Sequence, residues 1–314
     1  MKHISIFVAL VLMLAGSAKA QQDPLFSQYM ANTYLINPAV AGSKGIHSLS
    51  AFHRWQWVSF PGAPMTFGVS YQGLVKKVHG VGGLLFSDIT GPSVRIGLKG
   101  SYAFHIPINE TMKLSIGAAA RIVRNSINTK IITLLQDNDA AIANASEAVW
   151  GGDAEFGVYF YHPDFYVGFS APNLIQTKID FGGNPAGRDP IGKGYRHYFL
   201  TGGYRFKLPK NMILEPSVMV KYVQGPYPQV DGGVTLRLLE DQLAFGVFYR
   251  HPGFISFQSK FLFDKKIPLL LSFDLSVSKF QNYSAGATEV ILGYDFIKDP
   301  FQMDSTPEQP VDGQ

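Results

Sequence analysis

The stretch from Leu269 to Ser278 constrains this chain more than any other. Leu271, Phe273, Leu275 and Val277 alternate there with Ser272, Asp274, Ser276 and Ser278. A period of two puts the apolar side chains on one face of a β-strand and the polar ones on the other. A soluble sheet suits such a strand, with its polar face in water. A membrane barrel suits it equally, with the apolar face in lipid and the polar face in a wet lumen. The pattern recurs along much of the chain, so the fold class turns on which solvent the apolar face meets.

Composition leaves both solvents open. Only 16% of residues are charged, against about 25% in ordinary soluble domains. Aromatics make up 13%, and there are 32 Gly. A barrel wall that never meets water has this balance, and so does a large soluble β-sandwich. The absence of Cys excludes disulfides and thiolate metal sites. The net charge of +4 counts Lys2 and Lys19, and the remaining charges are scattered. That is no basis for nucleic-acid binding.

Residues 1–20 have the layout of a secretory signal peptide. Lys2 and His3 precede an apolar run from Ile4 to Ala15, and Ala18-Lys19-Ala20 supplies small residues around a cleavage site. The alternative is a retained anchor helix, for which the run is short. No later stretch is apolar over the ~18 residues that a spanning helix requires. The mature chain is therefore expected in a periplasm, an outer membrane or the medium.

Residues 21–45 are polar and broken by Asp23-Pro24 and Asn37-Pro38, with room for a short helix between. They are expected to form a short N-terminal periplasmic, plug-like segment at a barrel mouth. Strand patterns follow at 46–54, 64–73, 79–87, 94–106, 110–124, 149–161, 164–172, 195–207, 211–224, 228–238, 241–250, 253–262, 267–278 and 286–297. The fold class expected is all-β: a transmembrane antiparallel up-and-down barrel of about fourteen strands over 46–297. Residues 298–314 are rich in Asp, Gln and Pro, the composition of a disordered periplasmic tail. Both termini would then lie in the periplasm.

Two features favour the barrel. Connections at one end are short, as at His162-Pro163 and Leu208-Pro209-Lys210, whereas 125–148 and 173–194 at the other end are long. Aromatics also collect near strand ends, notably Tyr159, Phe160, Tyr161, Phe165 and Tyr166, as at a membrane interface. Arg and Lys within the alternating strands would face the lumen, since each costs ~2–4 kcal/mol on the lipid side at mid-depth.

Catalytic and metal chemistry find little purchase. Gly187, Gly192 and Lys193 approach a phosphate-binding loop, but Gly194 stands where Ser or Thr is required and Pro190 interrupts it. The His residues do not fall at metal-binding helical spacing, and Asp137, Asn138 and Asp139 lack the calcium-loop pattern. Asp153 and Glu155 share a strand face, as an acid–base pair would, yet lumen polarity or ion pairing explains them more simply. No catalytic residue, cofactor or metal is assigned. Between two strands, Arg54, Trp55, Gln56, Trp57, Phe60, Pro61, Gly62, Ala63 and Pro64 gather rigid aromatics and an Arg at an outer loop. These are typical anchor residues for a protein partner, and an aromatic girdle with a tight turn is the plainer reading.

Two stretches together resemble the PorP/SprF family of type IX secretion outer-membrane proteins. The first is Gln22 to Met30, with Asp23, Pro24, Phe26, Ser27, Gln28 and Tyr29, continuing through Asn37, Pro38 and Ala39 to Gly42. The second is Arg54 to Trp57 with Pro61 to Pro64, followed by Asp88 and Gly91. The resemblance implies a non-enzymatic, multi-pass barrel in the outer membrane, in contact with its lipid. It implies partners too: periplasmic type IX components, and a secreted surface protein, adhesin-like and linked to gliding, held through its type IX C-terminal domain. On this reading Arg54, Trp55, Trp57 and Phe60 are the anchors, and Asp23 to Gly42 faces the periplasmic components. The alternative is a passive outer-membrane transporter of the fatty-acid-channel type, in which an N-terminal segment plugs the lumen. A soluble secreted β-sandwich is the third reading.

Overall fold

The computed structural model describes residues 28–29, 32–128, 148–179, 181, 192–223, 227–251, 253–277, 281 and 284–296. The expected signal peptide, Asp23, Pro24, Phe26, Ser27 and the 298–314 tail lie outside the described residues. The strands are β1 (His47–Trp55), β2 (Met65–Val75), β3 (His79–Thr90), β4 (Ser93–Pro107), β5 (Lys113–Ile127), β6 (Ala148–Tyr161) and β7 (Phe165–Ala171). There follow β8 (His197–Tyr204, resuming after Arg205 as Phe206–Leu208), β9 (Met212–Val223), β10 (Gln229–Leu238), β11 (Leu243–Arg250), β12 (Phe254–Phe263), β13 (Ile267–Ser276) and β14 (Ala287–Phe296).

Each strand pairs antiparallel with its chain neighbours, and β14 pairs with β1 from His47↔Phe296 to Trp55↔Thr288. The fourteen strands therefore close into a barrel with no free edge. A separate ribbon, Lys178–Ile179 against Gly192–Lys193, lies in the connection 172–196. The connections 76–78, 108–112, 162–164, 209–211, 239–242 and 264–266 are all at one end, hereafter the short-turn end. The longer connections, including 56–64, 172–196 and 277–286, are at the other.

Side-chain exposure answers the solvent question. Phe67 is 50% exposed and its neighbour Thr66 1%. Leu271, Phe273, Leu275 and Val277 are likewise exposed, while Ser272, Asp274 and Ser276 are buried inside. A closed wall of outward Phe, Leu and Val, around a polar interior, is a surface built for hydrocarbon. Outward aromatic and His side chains near the short-turn end fit a membrane interface. His47 Nδ1 lies 2.6 Å from the Tyr71 hydroxyl and His79 Nδ1 2.6 Å from that of Tyr102, while Tyr294 packs edge-on against Phe296. Trp55 and Trp150 are exposed towards the opposite end.

The aromatic group around 162–164 divides by parity. Phe160 and Phe165 face outward together, as expected, with centroids 5.7 Å apart. Tyr159, Tyr161 and Tyr166 do not serve the interface: odd positions of β6 and even positions of β7 point inward. Tyr159 and Tyr166 are buried there, with Tyr161 packed beside them.

They pack against the N-terminal segment, which occupies the lumen. Two short 3-10 turns, Thr33–Leu35 and Pro38–Val40, fold it, and Asn37 caps the second by accepting the Ala39 N–H at 2.9 Å. Tyr34, Ala39, Val40 and Ala41 pack on Ala103, Tyr159 and Tyr166. Leu35 packs among Phe52, Leu84, Phe86, Val123, Leu270 and Ile291, and Tyr29 against Phe199 and Met219. From Gln28, in the long-connection half of the lumen, the described part of the segment leads to the short-turn end. There Gly42 has φ +78°, and an added Cβ would sit 2.8 Å from the Gly73 carbonyl oxygen and 3.0 Å from Gly80 Cα. A Cβ on Gly80 would in turn collide with the Ala41 carbonyl oxygen. Gly80→Val is therefore expected to expel the segment from its seat while the barrel ladder survives. Limited proteolysis in detergent should show cleavage within 28–42 only in the variant, with stability lowered by about 1–3 kcal/mol from overpacking.

Candidate functional site

The loop 56–64 joins β1 to β2 at the long-connection end. It is pinned on both flanks. Gln56 N–H donates to the Pro64 carbonyl at 2.9 Å, Val58 N–H to Gly286 at 3.0 Å, Ala285 N–H back to Val58 at 3.0 Å, and Gly91 N–H to Gly62 at 3.0 Å. Trp57 and Ser59 take positive φ (54° and 77°), as does Gly62 (73°), so the loop is tightly wound. Trp57 and Phe60 meet edge to face at 6.3 Å and both stay exposed. Trp55 is also exposed, on the outward face of β1, and Pro61 and Gly62 form the exposed tip. Gln56 is half-buried, and Ala63 and Pro64 are buried at the base of the loop.

Arg54 is not part of that exposed set. β1 runs on to Trp55, and its inward parity carries Arg54 into the lumen, where it is 1% exposed. Its Nη1 donates to Glu289 at 2.9 Å and its Nη2 to Asp274 at 2.9 Å. Arg250 extends the layer: Nε donates to Asp231 at 2.7 Å, and Nη1 lies 3.7 Å from Asp274. The lumen segment is tied to the same carboxylate. Gln28 Nε2 donates to the Glu289 carbonyl at 3.1 Å, and its backbone N–H faces Oε1 at 3.4 Å.

Further along, Lys99 Nζ donates to the Leu35 carbonyl at 3.2 Å and to Glu155 at 3.2 Å. Arg121 stands 3.8 Å from Glu155 and donates to Asn173. Asp153 accepts the backbone N–H of Ala154 and Ile175. Glu155 is thus engaged by cations and Asp153 by backbone, which accounts for both carboxylates without acid–base work. Asn37 Nδ2 donates to the Val158 carbonyl at 3.1 Å, and Ser170 Oγ to that of Ile36 at 2.7 Å. His105 Nε2–H donates to the Ala41 carbonyl at 2.8 Å, leaving Nδ1 to accept from the Tyr161 hydroxyl at 2.9 Å.

Gln28, Tyr29, Asn37, Pro38, Ala39 and Gly42 are therefore lumen-packing residues, all buried. Gln28 and Asn37 donate to carbonyls of the wall, and the apolar side chains fill its interior. The sequence reading missed Lys99, Glu155, His105 and Ser170 as their partners. Inward parity was the available signal, since it makes each of them a lumen group in need of a partner.

Residues 18–294 match the family described as type IX secretion system membrane protein PorP/SprF. The chain belongs to that family. No curated protein matches the sequence. Among solved structures, the CymD monoaromatic hydrocarbon channel is similar at 13% identity and TM-score 0.50, over 88% of this chain and 94% of that one. The Ralstonia pickettii toluene transporter TbuX is 10% identical over 89% and 95%, with TM-score 0.48. The Acinetobacter baumannii outer membrane protein Omp33 is 9% identical over 80% and 98%, with TM-score 0.45. At 13% identity the likeness to CymD speaks for the barrel fold alone. This PorP/SprF chain is a multi-pass outer-membrane barrel associated with type IX secretion.

In the PorP/SprF barrel the Arg54 layer is buried and closely paired. Removing one partner of such a set leaves a charge stranded in low dielectric, at a cost of about 3–5 kcal/mol. Arg54→Ala is expected to show a loss of that size in urea denaturation of the detergent-solubilised barrel. The triple variant Arg54→Met, Asp274→Asn, Glu289→Gln should lose distinctly less, because no charge is left stranded.

Proposed function

We propose that this PorP/SprF barrel is a capped docking platform that supports export and surface retention of a secreted, adhesin-like protein by holding its type IX C-terminal domain. The observation that carries the proposal is the 56–64 loop. Trp57 and Phe60 are exposed on a backbone pinned from both sides, so little conformational entropy remains to be lost on binding. Trp55 extends the aromatic surface along the rim, whereas Arg54 acts beneath it by holding the charge layer. The long-connection end is assigned to the cell exterior and the short-turn end to the periplasm, where other type IX components would meet it. A lumen partly filled by the N-terminal segment suits a platform better than a conduit. A fatty-acid-type channel would call for a continuous apolar path, and here the apolar clusters of the interior are interrupted by buried charges such as Arg54, Lys99, Glu155, Asp274 and Glu289.

Anchor residues of this kind lose at least ~2 kcal/mol each on truncation, about thirtyfold in affinity. The Trp57→Ala, Phe60→Ala double variant should therefore recover far less of the secreted partner in pull-downs from solubilised outer membranes, with the barrel present at its normal level. Undiminished recovery from a folded variant would sink the anchoring role.

A further inference from the structure

Beside the lumen segment the barrel keeps a cavity of about 670 Å3, reaching the short-turn end at His162, Pro163 and Lys265. Two kinds of unmet group mark it. Asn32 of the segment and Gln72 of β2 line it with side-chain carbonyl oxygens that are buried and unpartnered among the described residues. Cations also outnumber carboxylates in the described lining: Lys44, Arg205, Arg237, Lys260 and Lys265 stand against Glu215, Asp241 and Asp295. Lys265 is exposed at the rim, 3.9 Å from Glu240, and without it the balance is still positive. Unmet acceptors beside a surplus of cations call for a polar occupant, not for side-chain packing.

The wall holds two of the cations in fixed positions. Arg205 Nε and Arg237 Nε donate to the same oxygen, Glu215 Oε2, at 3.0 and 2.8 Å, which sets the two guanidinium groups side by side. Arg205 Nη1 donates to the Pro163 carbonyl at 2.9 Å, and Arg237 Nη1 to Asp241 at 2.7 Å, which also accepts from Lys260 Nζ at 2.6 Å. Each guanidinium keeps its Nη2 without a hydrogen bond among the described residues. Lys44 brings a third donor, from the end of the lumen segment. A tight turn carries it: Ser43 N–H donates to the Val40 carbonyl at 2.9 Å and Gly45 N–H to that of Gly42 at 3.0 Å. Asp295, Lys260, Arg237 and Asp241 are the electrostatic neighbours of Lys44, with no ion pair at contact distance among the described residues. Asp295 instead accepts from Ser48 Oγ at 2.5 Å.

Guanidinium edges pre-set by carboxylates bind carboxylate and phosphate oxygens through charge-assisted hydrogen bonds, roughly twice as strong as neutral ones. The volume is in the ordinary range for a small-ligand site, roughly 300–1,000 Å3. We propose that this cavity binds a small oxyanion ligand from the short-turn end, its carboxylate or phosphate group held between Lys44 of the segment and the Arg205–Arg237 pair of the wall. The bound anion ties the exit of the segment to β8 and β10.

The test uses the full chain, folded in detergent at low ionic strength and titrated calorimetrically with inorganic phosphate and, separately, with succinate. At least one probe is expected to bind saturably, one molecule per chain. Binding of phosphate alone assigns a phosphate ligand, and binding of succinate alone a carboxylate one. Lys44→Gln removes no ion pair among the described residues, yet should weaken binding about tenfold or more, the worth of one charge-assisted contact. Arg205→Gln, in which Glu215 keeps its bond from Arg237, should weaken it to a similar degree. Absence of saturable binding by both probes overturns the proposal, and so does binding that either substitution leaves undiminished.

Discussion

Everything in this structure depends on the pairing of β1 with β14. In hydrocarbon an unpaired backbone N–H or C=O costs several kcal/mol, so a sheet can cross a membrane only if it has no edge. The register from His47↔Phe296 to Trp55↔Thr288 removes it. Closure then fixes parity all round the wall, because a slip of one residue would turn every inward group outward. It also fixes circumference. Fourteen strands enclose more space than inward side chains fill, and the N-terminal segment takes up part of that excess. The polar interior, the segment and the charge layers all follow from a closed wall with lipid outside.

The buried charges act on register more than on stability. An ion pair out of water roughly offsets its own desolvation, whereas a broken one is expensive. Arg54 therefore adds little net stability with Asp274 and Glu289 in place, yet it penalises any arrangement that separates β1 from β13 and β14. Lys99 does the same for the segment. Its ammonium joins Glu155 of the wall to the Leu35 carbonyl, an acceptor at the end of a 3-10 turn that would otherwise be unpaired in the interior. His105 does so at Ala41. The segment is positioned by wall groups that need it as much as it needs them.

The barrel was legible because period two survives in almost every strand. Phe67 and Thr66, or Leu271 and Ser272, disclose their faces without any tertiary information. The strand count held as well, and boundaries moved by only a few residues. What the sequence concealed were places where parity must be counted from an exact strand end. Arg54 reads as a loop residue until β1 is known to reach Trp55. Tyr159, Tyr161 and Tyr166 read as a girdle until the neighbours in sequence, Phe160 and Phe165, are seen to take the outer face. The motif from Gln28 to Gly42 carries breakers, Asn37 and Pro38, that announce irregular structure. Nothing local says that this structure is packed inside, because its partners are spread from Phe52 on β1 to Ile291 on β14, most of them far along the chain.

The segment also joins the two ends of the barrel by direct contact. Glu289 holds Arg54, one residue before Trp55, and the same residue holds Gln28. From there the chain passes Leu35 on Lys99 and Ala41 on His105, and reaches Lys44 in the cavity at the short-turn end. The wall is a continuous ladder that opens only if many backbone bonds break together. The segment has no ladder: its polar attachments are separate side-chain hydrogen bonds, each worth on the order of 1 kcal/mol net. Local rearrangement draws on the least cooperative part of a structure. In this barrel that part is the segment in contact with both the charge layer beneath the aromatic loop and the cavity at the short-turn end.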